Sequence, residues 1–123
     1  MILVDTSVWI DHLHQAERAL AAALDDGEVV THPFVIGELA VGRLRDRAGV
    51  LGALGEMPWL PSVGHGDALE LIERRDLHGR GLGFIDIHLL ASVLISPGAR
   101  LWTRDRRLRA VAEELDAAWG GGR

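Results

Sequence analysis

Three carboxylates of this chain stand in apolar surroundings. Asp5 lies within Ile2-Leu3-Val4-Asp5-Thr6-Ser7-Val8-Trp9-Ile10, Glu38 within Phe34-Val35-Ile36-Gly37-Glu38-Leu39-Ala40-Val41, and Asp86 within Phe84-Ile85-Asp86-Ile87-His88-Leu89-Leu90-Ala91. An ionised carboxylate in such a setting is costly unless it is paired or metal-bound. A fourth acid, Asp105, follows the apolar stretch Leu101-Trp102-Thr103. Each acid taken singly has an ordinary use. Asp5 and Asp86 could be helix N-caps, Glu38 could pair with a buried arginine, and Asp105 could open a solvated helix. Four acids brought to one place would repel one another unless cations sat between them. An all-oxygen ligand set suits Mg²⁺ or Mn²⁺ rather than zinc. Two such ions, about 4 Å apart, can activate water and steady the leaving oxygen of a phosphodiester.

The elements needed to bring these acids together are legible. Residues 2–5 read as a short buried strand that stops at polar Asp-Thr-Ser. Ser7 is a candidate cap for a first helix carrying Trp9, Ile10 and Leu13. An alanine-rich helix follows at 15–25, then a strand at 28–31. Pro33 suits the first turn of a third helix over 33–45, and a fourth helical stretch covers 46–56. Trp59-Leu60, between Pro58 and Pro61, makes at most a short edge strand. An amphipathic helix near 67–77 and a glycine-rich link (79–83) lead to an apolar helix over 84–96. A strand at 100–103 and an amphipathic helix over 105–117 complete the chain, apart from a glycine tail at 120–123. Strands alternating with helices predict an α/β fold with a parallel sheet covered on both faces. Ligands of such sheets bind at the carboxyl edge of the strands. Asp5 and Asp105 fall at that edge, as do Asp86 in the first turn of its helix and Glu38 about one turn into its own.

Composition narrows the field. The 123 residues make one domain, 48% of them apolar, with no cysteine. There is no apolar run of membrane-spanning length and no basic stretch before the N-terminal apolar residues, so a cytoplasmic protein is expected. The formal net charge of −5 is unusual for a nucleic-acid binder, but divalent cations at an acidic cluster would offset most of it. All 13 basic residues are arginines. Without lysine there is no Walker A site and no Schiff-base chemistry.

The ordered set of motifs resembles a known family. Val4-Asp5-Thr6-Ser7-Val8-Trp9-Ile10, Gly37-Glu38-Leu39, the stretch around Asp86 from Gly83 to Ala91, and Trp102-Thr103-Arg104-Asp105-Arg106-Arg107-Leu108 are similar to the four motifs of PIN domains. The likeness is greatest to the VapC-type toxins of bacterial toxin–antitoxin pairs. The resemblance implies a three-layer α/β/α sandwich with a short, mostly parallel sheet of four to five strands, as a single domain over 1–119 followed by a flexible tail at 120–123. It implies Mg²⁺- or Mn²⁺-dependent endoribonuclease activity with Asp5, Glu38, Asp86 and Asp105 as catalytic metal ligands, supported by Ser7 and Thr103. It also implies a cognate antitoxin, an RNA substrate, and a homodimer or toxin–antitoxin hetero-oligomer.

Other residues were weighed against that frame. Arg80, Arg104, Arg106 and Arg107 flank the acidic edge and are candidates for RNA phosphates, with ordinary surface arginines as the alternative. Val35, Leu39, Val50, Leu51 and Leu54 lie among Gly37, Gly42, Gly49, Gly52 and Gly55 in the third and fourth helices. Glycine is costly inside helices, so a groove for an antitoxin helix is one reading and simple helix breaking is the other. Trp9, Trp59 and Trp102 are expected in the core. The histidines show no zinc spacing, and His88 falls about 200° from Asp86 around its helix. Two rival functions stay open: a catalytically silent PIN fold that only binds RNA or antitoxin, and a haloacid-dehalogenase-like phosphatase. The latter resembles Asp-x-Asp at its first strand, whereas Ser7 stands at the second acidic position here.

Overall fold

The sheet is built on the apolar run Ile2–Val4. In the computed structural model, which describes residues 1–121, this run is the central strand β1. β2 (Val29–Val30) and β3 (Arg100–Trp102) flank it, both parallel, in the order β2-β1-β3. The register pairs Ile2 with Val29 on one side and with Arg100 on the other. Every residue of β1 is buried, as a central parallel strand covered on both faces requires.

The sheet has three strands among the described residues, not the four to five expected. The outer positions shrink to isolated parallel bridges, Thr31 with Trp59 and Leu101 with Ala118. Pro58 and Pro61 remove N–H donors on either side of Trp59 and limit pairing there to one bridge. Trp59 is 51% exposed and does not join the core, whereas Trp9 and Trp102 do. The edge strand that would have covered Trp59 is too short to bury it.

Among the described residues seven helices accompany the sheet: α1 (Thr6–His14), α2 (Arg18–Asp25), α3 (Pro33–Val41), α4 (Arg47–Glu56), α5 (His65–Arg75), α6 (Phe84–Leu94) and α7 (Arg106–Glu114). α1 packs on α3 and α3 on α4, while α5 packs on α6 and α6 on β3. From β1 the chain moves outward through β2 to the Trp59 edge, then returns across the sheet to β3. Right-handed crossovers place these outward and returning connections on opposite faces, giving three layers. α6 is buried from Ile87 through Val93, which explains its nearly uniform apolar sequence. α7 shows only Leu108, Val111 and Ala112 to the core. Ser7 lies inside α1 and does not cap it; Asp5 holds the N-cap position. Residues 122–123 of the expected loose tail lie outside the described residues.

Candidate active site

Each of the four acids is delivered by the start of a helix or by a strand end at the carboxyl edge. Asp5 follows β1 directly, and its backbone N–H donates to Trp102 O at 2.9 Å, tying it to the end of β3. Although it sits at the N-cap of α1, its carboxylate makes no cap hydrogen bond. Instead Asp5 Oδ2 accepts from Ser7 Oγ at 2.9 Å and from Thr103 Oγ1 at 2.7 Å. The residue is buried, with 6% exposure. Both hydroxyls fix the orientation of the carboxylate.

The other three acids are held in similar ways. Asp86 is the third residue of α6, and its Oδ2 accepts the Gly83 N–H at 2.9 Å, bending the carboxylate back over the helix N-terminus. Asp105 caps α7, its Oδ1 accepting the Arg107 and Leu108 N–H groups, each at 3.0 Å. Glu38 Oε1 accepts from Thr6 Oγ1 at 3.1 Å. So the structural and the functional readings of Asp86 and Asp105 coexist. In all four acids one oxygen takes every hydrogen bond, and the second oxygen takes none among the described residues.

The charges of the other three acids are felt at Asp86. The Asp86 carboxyl is raised above its ordinary range, first by burial, then by the negative charges of Asp5, Asp105 and Glu38, against a lowering hydrogen bond from Gly83. Asp5, Glu38 and Asp105 thus all act on Asp86, although the four come from separate segments. Among the described residues no three acidic, cysteine or histidine side chains are grouped so that they could hold a metal ion as they stand. The donor set fits a hard divalent cation: four carboxylates, each with a free oxygen, and no competing sulfur or imidazole ligand.

The arginines are placed differently from the sequence expectation. Arg80 is committed to Glu114 through two contacts, one of 3.2 Å, and Arg104 to Asp11 and to Glu17, the latter at 2.9 Å. The Arg107 guanidinium lies where a Gly81 side chain would be, beside the left-handed backbone of Gly81 (φ +79°). Arg80 and Arg104 are internal fasteners between loops and helices rather than open phosphate contacts. Arg106 and Arg107 are exposed, and neither makes an ion pair among the described residues.

The proposed antitoxin contacts also divide. Val35, Leu39 and Leu54 are buried core residues and offer no surface. Their apolar character serves the packing of α3 and α4 beneath α1. Val50 and Leu51 are only half-buried. Beside Val50 a groove of ≈ 220 Å³ runs between α1 and the α3–α4 turn, lined by Ile10, Leu13, Leu44 and Val50 together with Arg43 and Arg45. Of the five glycines, Gly49 has an internal reason, because the Asp46 cap occupies the place of its side chain; Gly37, Gly52 and Gly55 face open space.

Sequence reading missed Thr6, the hydroxyl that holds Glu38. Its signal was present in Asp5-Thr6-Ser7: two adjacent hydroxyls at the start of a helix cannot face the same acid. It also missed Phe34 and Phe84, half-exposed rings in the first turns of α3 and α6 that pack on His88.

This arrangement defines the class. The PIN domain profile matches residues 2–114, and the chain belongs to that family. It is 51% identical over 118 residues to Ribonuclease VapC32 of two Mycobacterium tuberculosis strains, CDC 1551 / Oshkosh and ATCC 25618 / H37Rv, covering 96% of this chain and 95% of each relative. Among solved structures it is similar to PAE2754 from Pyrobaculum aerophilum, with a TM-score of 0.54 and 25% identity over 96% of this chain and 87% of that one.

Proposed function

We propose that this chain is a Mg²⁺- or Mn²⁺-dependent endoribonuclease, the toxin of a type II toxin–antitoxin pair, acting at Asp5, Glu38, Asp86 and Asp105. The observation that carries the reading is the Asp86 carboxyl, raised first by burial and further by the negative charges of Asp5, Asp105 and Glu38. Such crowding marks a site arranged for a task rather than for stability. The likeness to ribonucleases over nearly the full chain supports it.

The four carboxylates would hold the cation through their free oxygens. When bound, a divalent cation supplies Lewis acidity toward the phosphodiester and the attacking water. Ser7 and Thr103 keep Asp5 aimed, Thr6 keeps Glu38 at the edge, and the Gly83 amide restrains Asp86. Arg106 and Arg107 are left to meet the RNA backbone. The groove beside Val50, with Arg43 and Arg45 at its rim, suits an amphipathic segment of the antitoxin.

The decisive experiment is cleavage of RNA by the purified chain, freed of antitoxin, with Mg²⁺ or Mn²⁺ and with EDTA. Cleavage that stops on chelation is expected, and cleavage that survives complete chelation overturns the metal-dependent reading. The phosphatase alternative loses ground to Ser7, which is engaged as a donor to Asp5.

A further inference from the structure

The chain contains only two phenylalanines, and neither is in the core. Phe34 and Phe84 are each 39% exposed. Each lies in the first turn of a helix that delivers a candidate catalytic acid. Phe34 precedes Glu38 by four residues on α3, so the two share a helix face. Phe84 opens α6, and Asp86 reaches back to the amide of Gly83 beside it.

The two rings are not independent. His88, buried at 5% exposure, stands between them with its ring 4.9 Å from Phe34 and 4.8 Å from Phe84, edge-on to both. His32 backs Phe34 at 5.2 Å, and His65 meets Phe84 at 5.2 Å. Five rings therefore form a continuous row from α3 across α6 to α5. Edge-to-face packing fixes ring orientation. Exposed aromatic rings are costly to leave in water, and these two sit in the first turns of α3 and α6 with their orientation held by the row.

We propose that Phe34 and Phe84 are substrate-positioning residues that stack unpaired nucleobases of the RNA strand next to the carboxylate cluster. The inference rests on the ribonuclease reading above and names the part of the substrate that the site grips. A chain with net charge −5 has few cations with which to hold a polyanion, and two of its four nearby arginines, Arg80 and Arg104, are internally engaged. Stacking supplies affinity without charge and accepts any base, because every base has a π-face. It also selects unpaired nucleotides, whose bases can splay out of a helix. A protein segment is the competing occupant. Phe34 shares a helix face with Glu38 and is joined to Phe84 through His88, which favours the strand that must pass the acids.

The test uses single-stranded RNA of about 12 nucleotides, with 2-aminopurine at one interior position, a length that spans a typical single-strand site. Binding is followed by fluorescence in an Asp5→Asn background, and cleavage is followed in the active chain. The expected result is quenching of 2-aminopurine on binding, relieved by Phe34→Leu with Phe84→Leu, together with a roughly ten-fold weaker Kd. Phe→Tyr at both positions should restore quenching, since the ring is retained. In the active chain KM should rise by a similar factor while kcat stays within about two-fold, because the rings act in binding. Thermal melts of each single leucine variant show whether folding is preserved; if the double variant unfolds, the single ones carry the same readout. Unchanged Kd and quenching in the leucine variants overturn the proposal. So does unchanged RNA binding with loss of antitoxin binding, which would assign the rings to a protein contact. A chain that quenches the probe but cleaves no RNA would refute the ribonuclease reading and leave the stacking site standing.

Discussion

Thr103 Oγ1 donates to Asp5 Oδ2 at 2.7 Å and, through the same oxygen, accepts the Asp105 N–H at 3.1 Å. One buried hydroxyl therefore sets the position of one acid and the backbone of another. Ser7 Oγ works in parallel, donating to Asp5 and accepting the Arg104 N–H at 3.1 Å. Thr103→Val keeps the shape but removes the relay. Losing such an outer partner typically weakens metal affinity by about 10- to 100-fold. Mn²⁺ titration should show this loss, with cleavage falling in step, while Thr103→Ser retains most of both. Equal Mn²⁺ affinity in the valine variant would mean that the relay is only structural.

Asp86 carries a charge in a place that resists it, through burial and three like charges. Asp86→Asn removes the charge and keeps an acceptor for the Gly83 amide. Without divalent cations the variant should melt roughly 2–4 °C above the parent, yet cleave no RNA. Added Mg²⁺ should stabilise the parent alone and narrow the gap. A melting scan with and without Mg²⁺ checks both parts, and a lower melting temperature for the variant would contradict the crowding.

His32 is 1% exposed, and its Nδ1 caps α3 by accepting the Phe34 N–H at 3.0 Å. Burial, with His88 nearby, depresses its pKa from 6.5 to about 4. Between those values the unfolded chain binds a proton that the folded chain does not, so stability falls as pH drops from about 6.5 to 4 and levels off below. The full difference is about 3 kcal/mol at 1.36 kcal/mol per pKa unit. His32→Asn retains a good N-cap and should flatten the pH profile in this window, even if it is less stable at pH 7. Urea melts across pH 4–7 measure the slope; an unchanged slope would show that other groups set the acid sensitivity.

The order of elements was readable because each apolar period was unbroken: Ile2-Leu3-Val4 for β1, the continuous apolar face of α6, the stripe of Leu108, Val111 and Ala112 for α7. The four acids stood out because they interrupt apolar runs. What sequence could not convey was which side chains are spent on internal work. Arg80 and Arg104 look no different in sequence from Arg106 and Arg107, but their partners Glu114 and Glu17 are 34 and 87 residues away in sequence. Val35 and Leu39 look no different from Val41, yet they are buried while Val41 is 89% exposed. Helical phase relative to a neighbour, set by packing of α3 against α1 and α4, makes that distinction.

That distinction fixes where an antitoxin test must be made. Leu54, at 1% exposure, is core, and Leu54→Asp should unfold the chain by burying an unpaired charge. The accessible apolar surface is the groove beside it, where Ile10, at 45% exposure, and Leu13, at 38%, face Leu44 and Val50. Gly52 and Gly55, with open space over them, let a partner helix approach α4 closely. Leu13→Asp with Val50→Asp should weaken antitoxin binding by about 100-fold or more, as charged replacements in an apolar contact do, with RNA cleavage by the free chain kept within a few-fold. Calorimetry with the purified antitoxin and a cleavage assay on the same preparations read the two separately. Full antitoxin affinity in this double variant would move the contact off the α1–α4 groove, and loss of cleavage along with it would show that these residues support the fold of the site.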